Sequence, residues 1–290
     1  MQIDLERGRW SPATRASYAI SWADFTRFMD QRGSVPLPAT AQAIADFLTA
    51  RAAKLSTSTL SGRLAAIVAV HSLYGHALDV KGSVIKDAWA EIRRQKGTAK
   101  KPKDALAIAD IRRIMRGIPA DRLQDRAVML IGFGSAMRRS ELVALDVEDL
   151  EFSPEDVTIT IRRSKTDKTG KGEHVAVARS GTDMCPVAAL ERWLSHASIT
   201  EGAVFRTGHN RMQPRQVATI TKRWAQNAGY LARDIGAHSL RRGCITTMHE
   251  AGIDLKSGME LSRHRTPAIY LGYVQKHDVK ANPAIKALRV

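Results

Sequence analysis

The first 92 residues carry helical periodicity throughout and contain no alternating strand pattern, which restricts the fold more than any other feature of the chain. In the opening segment, Tyr18, Trp22, Phe25 and Met29 recur at steps of four, three and four residues, so they share one face of a helix. A Ser-Pro pair opens this segment and a glycine closes it, as is typical of helix ends.

Three further segments, 39–54, 56–75 and 83–95, show the same helical period. The segment 56–75 has a predicted buried side formed by Leu60, Leu64, Ile67 and His71. Apolar stripes on successive short helices must be buried against one another. The sequence therefore predicts a compact bundle of four or five helices as a first domain over residues 1–92.

A basic segment, 93–105, follows this bundle and shows no apolar period. It has six basic side chains before its first acidic one, and it contains a glycine and a proline. This composition is typical of a linker. The linker is either a solvated tether or a strap that crosses a phosphate backbone. Its basic side chains are Arg93, Arg94, Lys96, Lys100, Lys101 and Lys103.

The remaining residues, 106–290, mix helical and strand patterns. Segments 146–152, 156–165 and 173–179 alternate and are rich in valine, isoleucine and threonine, so they predict three short strands, the last two joined by a hairpin. Helical patterns precede them and resume after them. The predicted fold is therefore mainly α with a small antiparallel β-sheet, in which a helical domain precedes an α+β domain.

The charge balance indicates the class of partner. The net charge is +16, from 45 basic and 29 acidic side chains, which favours a polyanion and nucleic acid before a membrane. We find no signal peptide and no membrane-length apolar run, and the two cysteines form no disulfide or zinc pattern. The acidic cluster at 147–156 lacks a histidine partner, and there is no phosphate-binding glycine-rich loop. We therefore expect a cytoplasmic protein without metal, cofactor or membrane partner.

Several side chains could carry chemistry, although each alone has an ordinary structural explanation. Arg138 precedes Glu141 by three residues, and His238 precedes Arg241 by the same spacing, so each pair shares one helix face. A hairpin lysine is usually a surface residue, and a single histidine is usually structural. The other candidates are Lys165 in the hairpin, His264, and Tyr273 nine residues after it.

In this order, the motifs resemble those of the tyrosine recombinases, the phage integrase family. The segment "SAMRRSEL" is similar to the family's first arginine box, "HSLRRG" to its His-x-x-Arg box, and "SRHRTPAIYLGYV" to its nucleophile segment. Arg139 competes with Arg138, but only Arg138 gives Arg-x-x-Glu. Tyr270 competes with Tyr273, and the nine-residue spacing favours Tyr273. Arg263 departs from the pattern, because the family usually has glycine before this histidine.

The resemblance implies a phosphoryl-transfer site made of protein side chains alone. Arg138 and Arg241 would grip the non-bridging oxygens of a DNA phosphodiester, supported by Glu141. His264 would donate a third hydrogen bond, and Tyr273 would attack to form a 3′-phosphotyrosyl ester. His238 would accept the phenol proton, and Lys165 would protonate the departing 5′-oxygen.

The same resemblance implies a core-binding helical domain, a catalytic domain and a simple two-domain enzyme of the Cre or Xer type. The expected partner is double-stranded DNA with inverted half-sites, bound by a homotetramer coupled through the C-terminal tail. A helix over 215–229 would present Arg215, Lys222 and Arg223 to the DNA. Two alternatives share this scaffold, a type IB topoisomerase-like enzyme and a non-catalytic DNA-binding regulator. The task, whether integration, excision, resolution or movement of a mobile element, stays open.

Overall fold

The computed structural model describes residues 3–97, 103–162 and 172–274. The chain divides into two compact units, Met1–Lys101 and Pro102–Val290. None of the helices within the described ranges is long and apolar enough to span a bilayer.

The described part of the first unit consists of a short 3-10 turn, Leu5–Arg7, and four α-helices. The helices are α1 (Pro12–Asp30), α2 (Ala41–Ala52), α3 (Thr57–Leu73) and α4 (Ser83–Lys96). The Ser11 hydroxyl accepts a hydrogen bond from the Thr14 amide, so the Ser-Pro pair does begin the helix. The described part of this unit thus has four α-helices, where the sequence predicts a bundle of four or five.

Apolar side chains and one histidine fill the centre of this bundle. Phe25 and Phe47 pack edge-to-face, with ring centroids 5.2 Å apart. His71 is fully buried, where Nδ1 donates to the Ile67 carbonyl at 2.8 Å and Nε2 accepts from the Ala39 amide at 2.9 Å. Burial is the main cause that lowers the pKa of His71, so the ring is neutral and acts as a polar tie between α3 and the start of α2.

The second unit contains eight α-helices within its described part. They are α5 (Ile108–Arg116), α6 (Leu123–Gly134), α7 (Arg139–Ala144), α8 (Pro186–His196), α9 (Pro214–Asn227), α10 (Ala237–Glu250), α11 (Leu255–Ser262) and α12 (Pro267–Leu271). The apolar helix α6 lies at the centre and packs against α8, α9 and α10. The helices around α6 therefore share one core, which fixes the relative positions of the polar residues that they carry.

A three-stranded antiparallel sheet packs beside these helices. Its strands are β1 (Leu150–Phe152), β2 (Asp156–Ile161) and β3 (Glu173–Ala178), in the order β1-β2-β3. Alternate residues of β2 and β3 are buried against the core, which the period-two pattern predicts. The mainly helical fold with a small antiparallel sheet is therefore confirmed.

Three segments differ from the sequence-based expectations. Residues 93–96 continue α4 rather than starting a linker, because the helical ladder runs on to Lys96 and ends at Gly97. The predicted first strand is shorter, since Asp149 accepts from the Asp146 amide at 2.9 Å and closes a 3-10 turn before β1 begins. A two-stranded pair, β4 (Arg206–Thr207) with β5 (Asn210–Arg211), lies in the part expected to be helical.

The segment at 103–108 lies against α10 instead of running free. The Leu106 amide donates to the Ser239 carbonyl at 3.1 Å, and the Asp104 amide donates to the Asp234 carbonyl at 2.8 Å. Gly243 makes this approach possible, because a Cβ there would stand 1.8 Å from the Leu106 carbonyl oxygen. The glycine of "HSLRRG" is therefore a packing requirement that fixes where α10 lies.

Candidate active site

The first arginine box forms the start of α7. Arg138 is the residue before the first helical turn, and Glu141 reaches back to it, with Oε2 accepting from the Arg138 amide at 2.9 Å and Oε1 accepting from Nη1 at 2.5 Å. A carboxylate at the third helical position satisfies an otherwise free helix-terminal amide, which explains the Arg-x-x-Glu spacing. The neighbouring Arg139 is exposed, whereas the contacts with Glu141 are made by Arg138. The geometry therefore favours Arg138 for the site.

The carboxylate of Glu141 is buried and ionised. Burial alone would raise its pKa, but hydrogen bonds from Arg138 and the positive charges of Arg263 and Arg138 outweigh burial, so the pKa lies below the ordinary value. Arg263 Nη2 donates to Oε2 at 2.9 Å. Glu141 thus joins two guanidiniums that are distant in sequence.

Arg241 is the most constrained of the basic side chains. It is fully buried on α10, where Nη1 donates to the Ala136 carbonyl and Nη2 to the Ser262 carbonyl, both at 2.5 Å. Nη2 also lies 3.1 Å from Nε2 of His264. The buried Nε has no hydrogen-bond partner within the described part of the chain. Burial, and then the charges of Arg138 and Arg263, lower the pKa of Arg241 to about 10, so it remains a cation at neutral pH.

His264 lies beside Arg241 just after α11. Only 8% of it is exposed, and its Nδ1 lies 2.8 Å from the Ser262 hydroxyl. Burial and the positive charges of Arg241, Arg138 and Arg263 lower the pKa of His264 to about 4. The ring is therefore neutral in the protein alone.

Two tyrosines flank this histidine in different environments. The Tyr273 ring lies 4.7 Å from the His264 ring, and the Arg241 guanidinium carbon lies 5.5 Å from the Tyr273 centroid. Tyr273 is half-buried, whereas Tyr270 is 1% exposed and packs directly on Gly258. Burial raises the pKa of Tyr270, which makes its phenol a poorer nucleophile. These environments favour Tyr273 over Tyr270 as the reacting tyrosine.

Comparison with known proteins identifies the family of this chain. Residues 105–279 match the phage integrase family, which is more than half of the chain. The chain belongs to the phage integrase family. It is 29% identical over 289 residues to an integrase/recombinase XerD homologue of Selenomonas ruminantium, covering 95% of this chain and 85% of that protein.

Solved structures of tyrosine recombinases share the fold. A XerH site-specific recombinase bound to a palindromic difH substrate, in a post-cleavage complex, aligns with a TM-score of 0.69 and 18% identity over 90% of this chain and 76% of that one. A lambda integrase dimer bound to a COC′ core site aligns with a TM-score of 0.60 and 15% identity over 95% of each chain. These structures share the fold, and the family match over residues 105–279 makes the present protein a site-specific tyrosine recombinase, an enzyme class that cleaves and rejoins DNA.

Arg263 is the residue of this recombinase that sequence reasoning undervalued. It ends α11 with φ +56°, in the left-handed region that favours the glycine usual in the family. Its side chain turns inward and contacts Glu141, the Ser135 carbonyl at 3.3 Å, and the Glu173 carboxylate at 3.4 Å. An arginine in a glycine position was the available signal, but the contacts it makes were not predictable from spacing.

The other predicted catalytic residues have different outcomes. His238 is exposed in the first turn of α10, three residues before the buried Arg241. Lys165 lies outside the described residues. Among the residues that the structure describes, no group of histidine, cysteine or acidic side chains could hold a metal ion.

The candidate DNA-contacting residues of the recombinase fall into two sets. On α9, Arg215 and Arg223 are exposed and Lys222 is half-buried, opposite the core-facing side of the helix. The linker set makes contacts within the protein. Arg93 stacks on Trp89, Arg94 pairs with Glu91, Lys96 contacts the Ala52 carbonyl, and Lys103 contacts the Arg233 carbonyl. Lys100 and Lys101 lie outside the described residues.

Proposed function

We propose that Arg138, Arg241, His264 and Tyr273 form the catalytic centre that cleaves and rejoins a DNA phosphodiester. The supporting observation is the buried guanidinium of Arg241, which lies beside Tyr273. The Nε of Arg241 has no hydrogen-bond partner among the described residues. A buried cation with an unused donor is costly to maintain. An anion that binds there would supply the missing partner.

The proposed reaction is a transesterification at phosphorus. The Tyr273 oxygen attacks the phosphorus, the bond to the 5′-oxygen breaks, and a 3′-phosphotyrosyl ester forms. Arg138 and Arg241 neutralise the charge that builds on the non-bridging oxygens. The ester keeps the energy of the phosphodiester, so the reverse attack rejoins the strand without ATP.

Two proton transfers accompany this step. His238 is proposed to accept the phenol proton of Tyr273, and Lys165 is proposed to give a proton to the leaving 5′-oxygen. If Lys165 has this role, a substrate with a 5′-thiolate leaving group, which needs no proton, will restore cleavage to Lys165→Ala. If the 5′-thiolate substrate does not restore cleavage to Lys165→Ala, Lys165 is not the acid that protonates the 5′-oxygen.

We further propose that α9 and the basic segment at 93–103 contact the DNA backbone. Arg215 is exposed on α9, and Arg223 is exposed there with a 3.9 Å ion pair to Asp125. Affinity that rests on such contacts falls steeply with salt, because bound phosphates release counterions. The proposal is tested by measuring the dissociation constant for DNA at salt concentrations from about 50 to about 200 mM and plotting its logarithm against that of the salt concentration. An affinity that hardly changes over this range would contradict it.

The proposed assembly is a homotetramer on two duplexes with inverted half-sites. Strand exchange needs four active sites, and a pseudo-palindromic site implies a subunit pair with two-fold symmetry. The C-terminal segment, which lies outside the described residues, contains Ile285 and Leu288 and is proposed to couple neighbouring subunits. Deletion of residues 282–290 should leave binding of one half-site nearly intact and abolish recombination. Full-rate recombination by the truncated protein would contradict the coupling.

The decisive experiment for the catalytic centre is adduct formation. The protein is incubated with nicked duplexes tiled across the DNA that flanks its gene, and adducts that survive SDS are separated by gel electrophoresis. We expect an adduct from the natural protein and from Tyr270→Phe, and none from Tyr273→Phe, which should still bind DNA. Loss of the adduct in Tyr270→Phe alone would reverse the assignment.

The same experiment separates the alternatives. Relaxation of supercoiled DNA without exchange between two sites would indicate a type IB topoisomerase-like activity. Binding without any adduct, on the DNA that the protein protects from nuclease, would indicate a non-catalytic regulator.

A further inference from the structure

Both ring nitrogens of His264 are in hydrogen-bonding contact inside the protein. Nδ1 lies 2.8 Å from the Ser262 hydroxyl, and Nε2 lies 3.1 Å from Nη2 of Arg241. All three side chains are buried. The ring is therefore held by two partners whose hydrogen-bonding capacities are known, and these capacities decide which nitrogen carries the proton.

The partner at Nδ1 can only accept. The Ser262 hydroxyl has one hydrogen, and it is donated to the Gly258 carbonyl at 2.6 Å, one helical turn earlier. Because a carbonyl oxygen has no hydrogen to give, this direction is fixed. The hydroxyl oxygen must then accept from the ring, so Nδ1 of His264 bears a hydrogen.

The partner at Nε2 can only donate. A guanidinium has five N–H donors and no acceptor, so Nη2 of Arg241 donates and Nε2 receives. The same Nη2 also donates to the Ser262 carbonyl at 2.5 Å, which fixes the plane of the guanidinium. The two ends of the ring give the same result independently, namely a neutral imidazole with hydrogen on Nδ1 and a lone pair on Nε2.

We propose that Ser262 is a positioning residue that fixes His264 as the Nδ1–H tautomer, so that His264 takes up one proton on Nε2 when an oxyanion enters the cage formed by Arg138, Arg241 and His264. In this form His264 has no hydrogen directed at the cage. To donate to a phosphate oxygen it must become an imidazolium, and the proton comes from the solvent. The hydrogen bond from Arg241 Nη2 then passes from Nε2 to the oxyanion. The second half of this proposal rests on the catalytic assignment above.

The charges around His264 favour this coupling. The groups that act on His264 are Arg138 just before α7, Arg241 of α10, Arg263 at the end of α11, and the rings of Tyr270 and Tyr273. Two carboxylates lie behind them, Glu141 on Arg138 and Arg263, and Glu173 of β3 on Arg263. Three arginines and burial hold the pKa of His264 at about 4. An oxyanion among them replaces like-charge repulsion with attraction and raises the pKa.

The tautomer is measured in the free protein by nitrogen-15 NMR of the full chain labelled at histidine. The signals of His264 are assigned by their loss in His264→Gln. We expect the Nδ1–H pattern in the natural protein. In Ser262→Ala only Arg241 still selects the tautomer, so we expect an Nε2–H fraction to appear beside the Nδ1–H form. An unchanged, purely Nδ1–H pattern in Ser262→Ala would overturn the role of Ser262. Ser262→Thr, which keeps the hydroxyl, should restore the pattern. Ser21→Ala removes another buried serine with the same bond to the carbonyl four residues earlier, in the other unit, and should change nothing at His264. An Nε2–H pattern in the natural protein overturns the proposal, whether or not the variants fold.

The proton uptake is measured by titrating His264 in sodium sulfate and in sodium chloride at equal ionic strength. Sulfate is the probe because it stays ionised over this range. We expect sulfate to move the titration midpoint up by about 1–3 pH units, as an opposite charge at close range does. Arg138→Ala should abolish the difference between the salts. Identical midpoints for the natural protein in both salts overturn the coupling. Neither measurement needs DNA cleavage, so a missing covalent adduct would contradict the proposed function and leave this result standing.

Discussion

Glu141 is the residue whose exchange tests the architecture of the site most directly. Its two oxygens accept three hydrogen bonds, from the Arg138 amide at 2.9 Å, Arg138 Nη1 at 2.5 Å and Arg263 Nη2 at 2.9 Å. Glu141→Gln keeps the shape but replaces one oxygen with an NH₂ group. Since Oε2 serves two donors and Oε1 only one, the amide will keep its oxygen at Oε2. Its NH₂ group will then face the Arg138 guanidinium.

The expected cost follows from the lost contact. A hydrogen bond to a charged group contributes about 1.5–3 kcal/mol, and breaking a buried ion pair costs about 3–5 kcal/mol. Because two of the three bonds survive in weaker form, we expect the free energy of unfolding of the second unit to fall by about 2–4 kcal/mol. Cleavage should slow by at least about tenfold, which corresponds to about 1.4 kcal/mol of lost positioning of Arg138.

Chemical denaturation and single-turnover cleavage of a nicked duplex measure the two effects. Glu191→Gln is the matched control, because Glu191 also pairs with an arginine, Arg179, at 2.7 Å, but with 40% of its side chain exposed. A surface pair contributes about 1 kcal/mol or less. The pKa of Glu141 is lowered in the folded protein, so its stabilising contribution is present above pH ~4.3 and is lost as the pH falls. If Glu141→Gln costs no more than Glu191→Gln at neutral pH, the carboxylate does not hold the site together.

Three further outcomes are expected. Gly243→Ala places a methyl group 1.8 Å from the Leu106 carbonyl oxygen and should destabilise the second unit by about 3 kcal/mol. The control Gly62→Ala, in open space on α3, should cost nothing. Equal unfolding midpoints for the two variants would contradict the packing argument. Burial holds the pKa of His71 below 6.5, so the unfolded chain binds its proton first, and the stability of the first unit should fall as the pH drops from about 7 to 5. If the free energy of unfolding of the first unit does not change over that pH interval, His71 is not a buried, neutral side chain. Arg241→Ala should slow cleavage by about 100-fold or more with binding of DNA retained, and a smaller kinetic effect in the same single-turnover assay would remove it from the centre.

Part of this protein was predictable from the sequence because some of its contacts are local. Ser11 before Pro12 predicts the start of α1, and the structure places the hydroxyl on the Thr14 amide. The three-residue interval from Arg138 to Glu141 spans one helical turn, so the pair meets at the start of α7. The apolar stripe through Trp22 likewise needs only the helical period. Such features depend on dihedral angles and spacing within a few residues.

Local pattern failed where another local bond or a packing contact was stronger. Residues 146–149 alternate as a strand does, but the Asp149 carboxylate binds the Asp146 amide and closes a 3-10 turn. The basic residues at 93–96 read as a linker by composition, yet α4 continues through them. Charge content therefore did not locate the end of the helix.

The proposed catalytic cluster is assembled by tertiary structure. Arg263 pairs with Glu141 across 122 residues of sequence, and Arg241 donates to His264 across 23 residues. The residue types and their order could be identified in the sequence, because the motifs that carry them resemble those of the tyrosine recombinases. The proton position on His264 could not be identified there, since it depends on which acceptor the Ser262 hydroxyl finds and on where α10 comes to rest against α11. Both depend on packing. Gly243 lets the backbone at Leu106 lie directly against α10, and the burial of Arg241 restricts its N–H groups to the few acceptors around it.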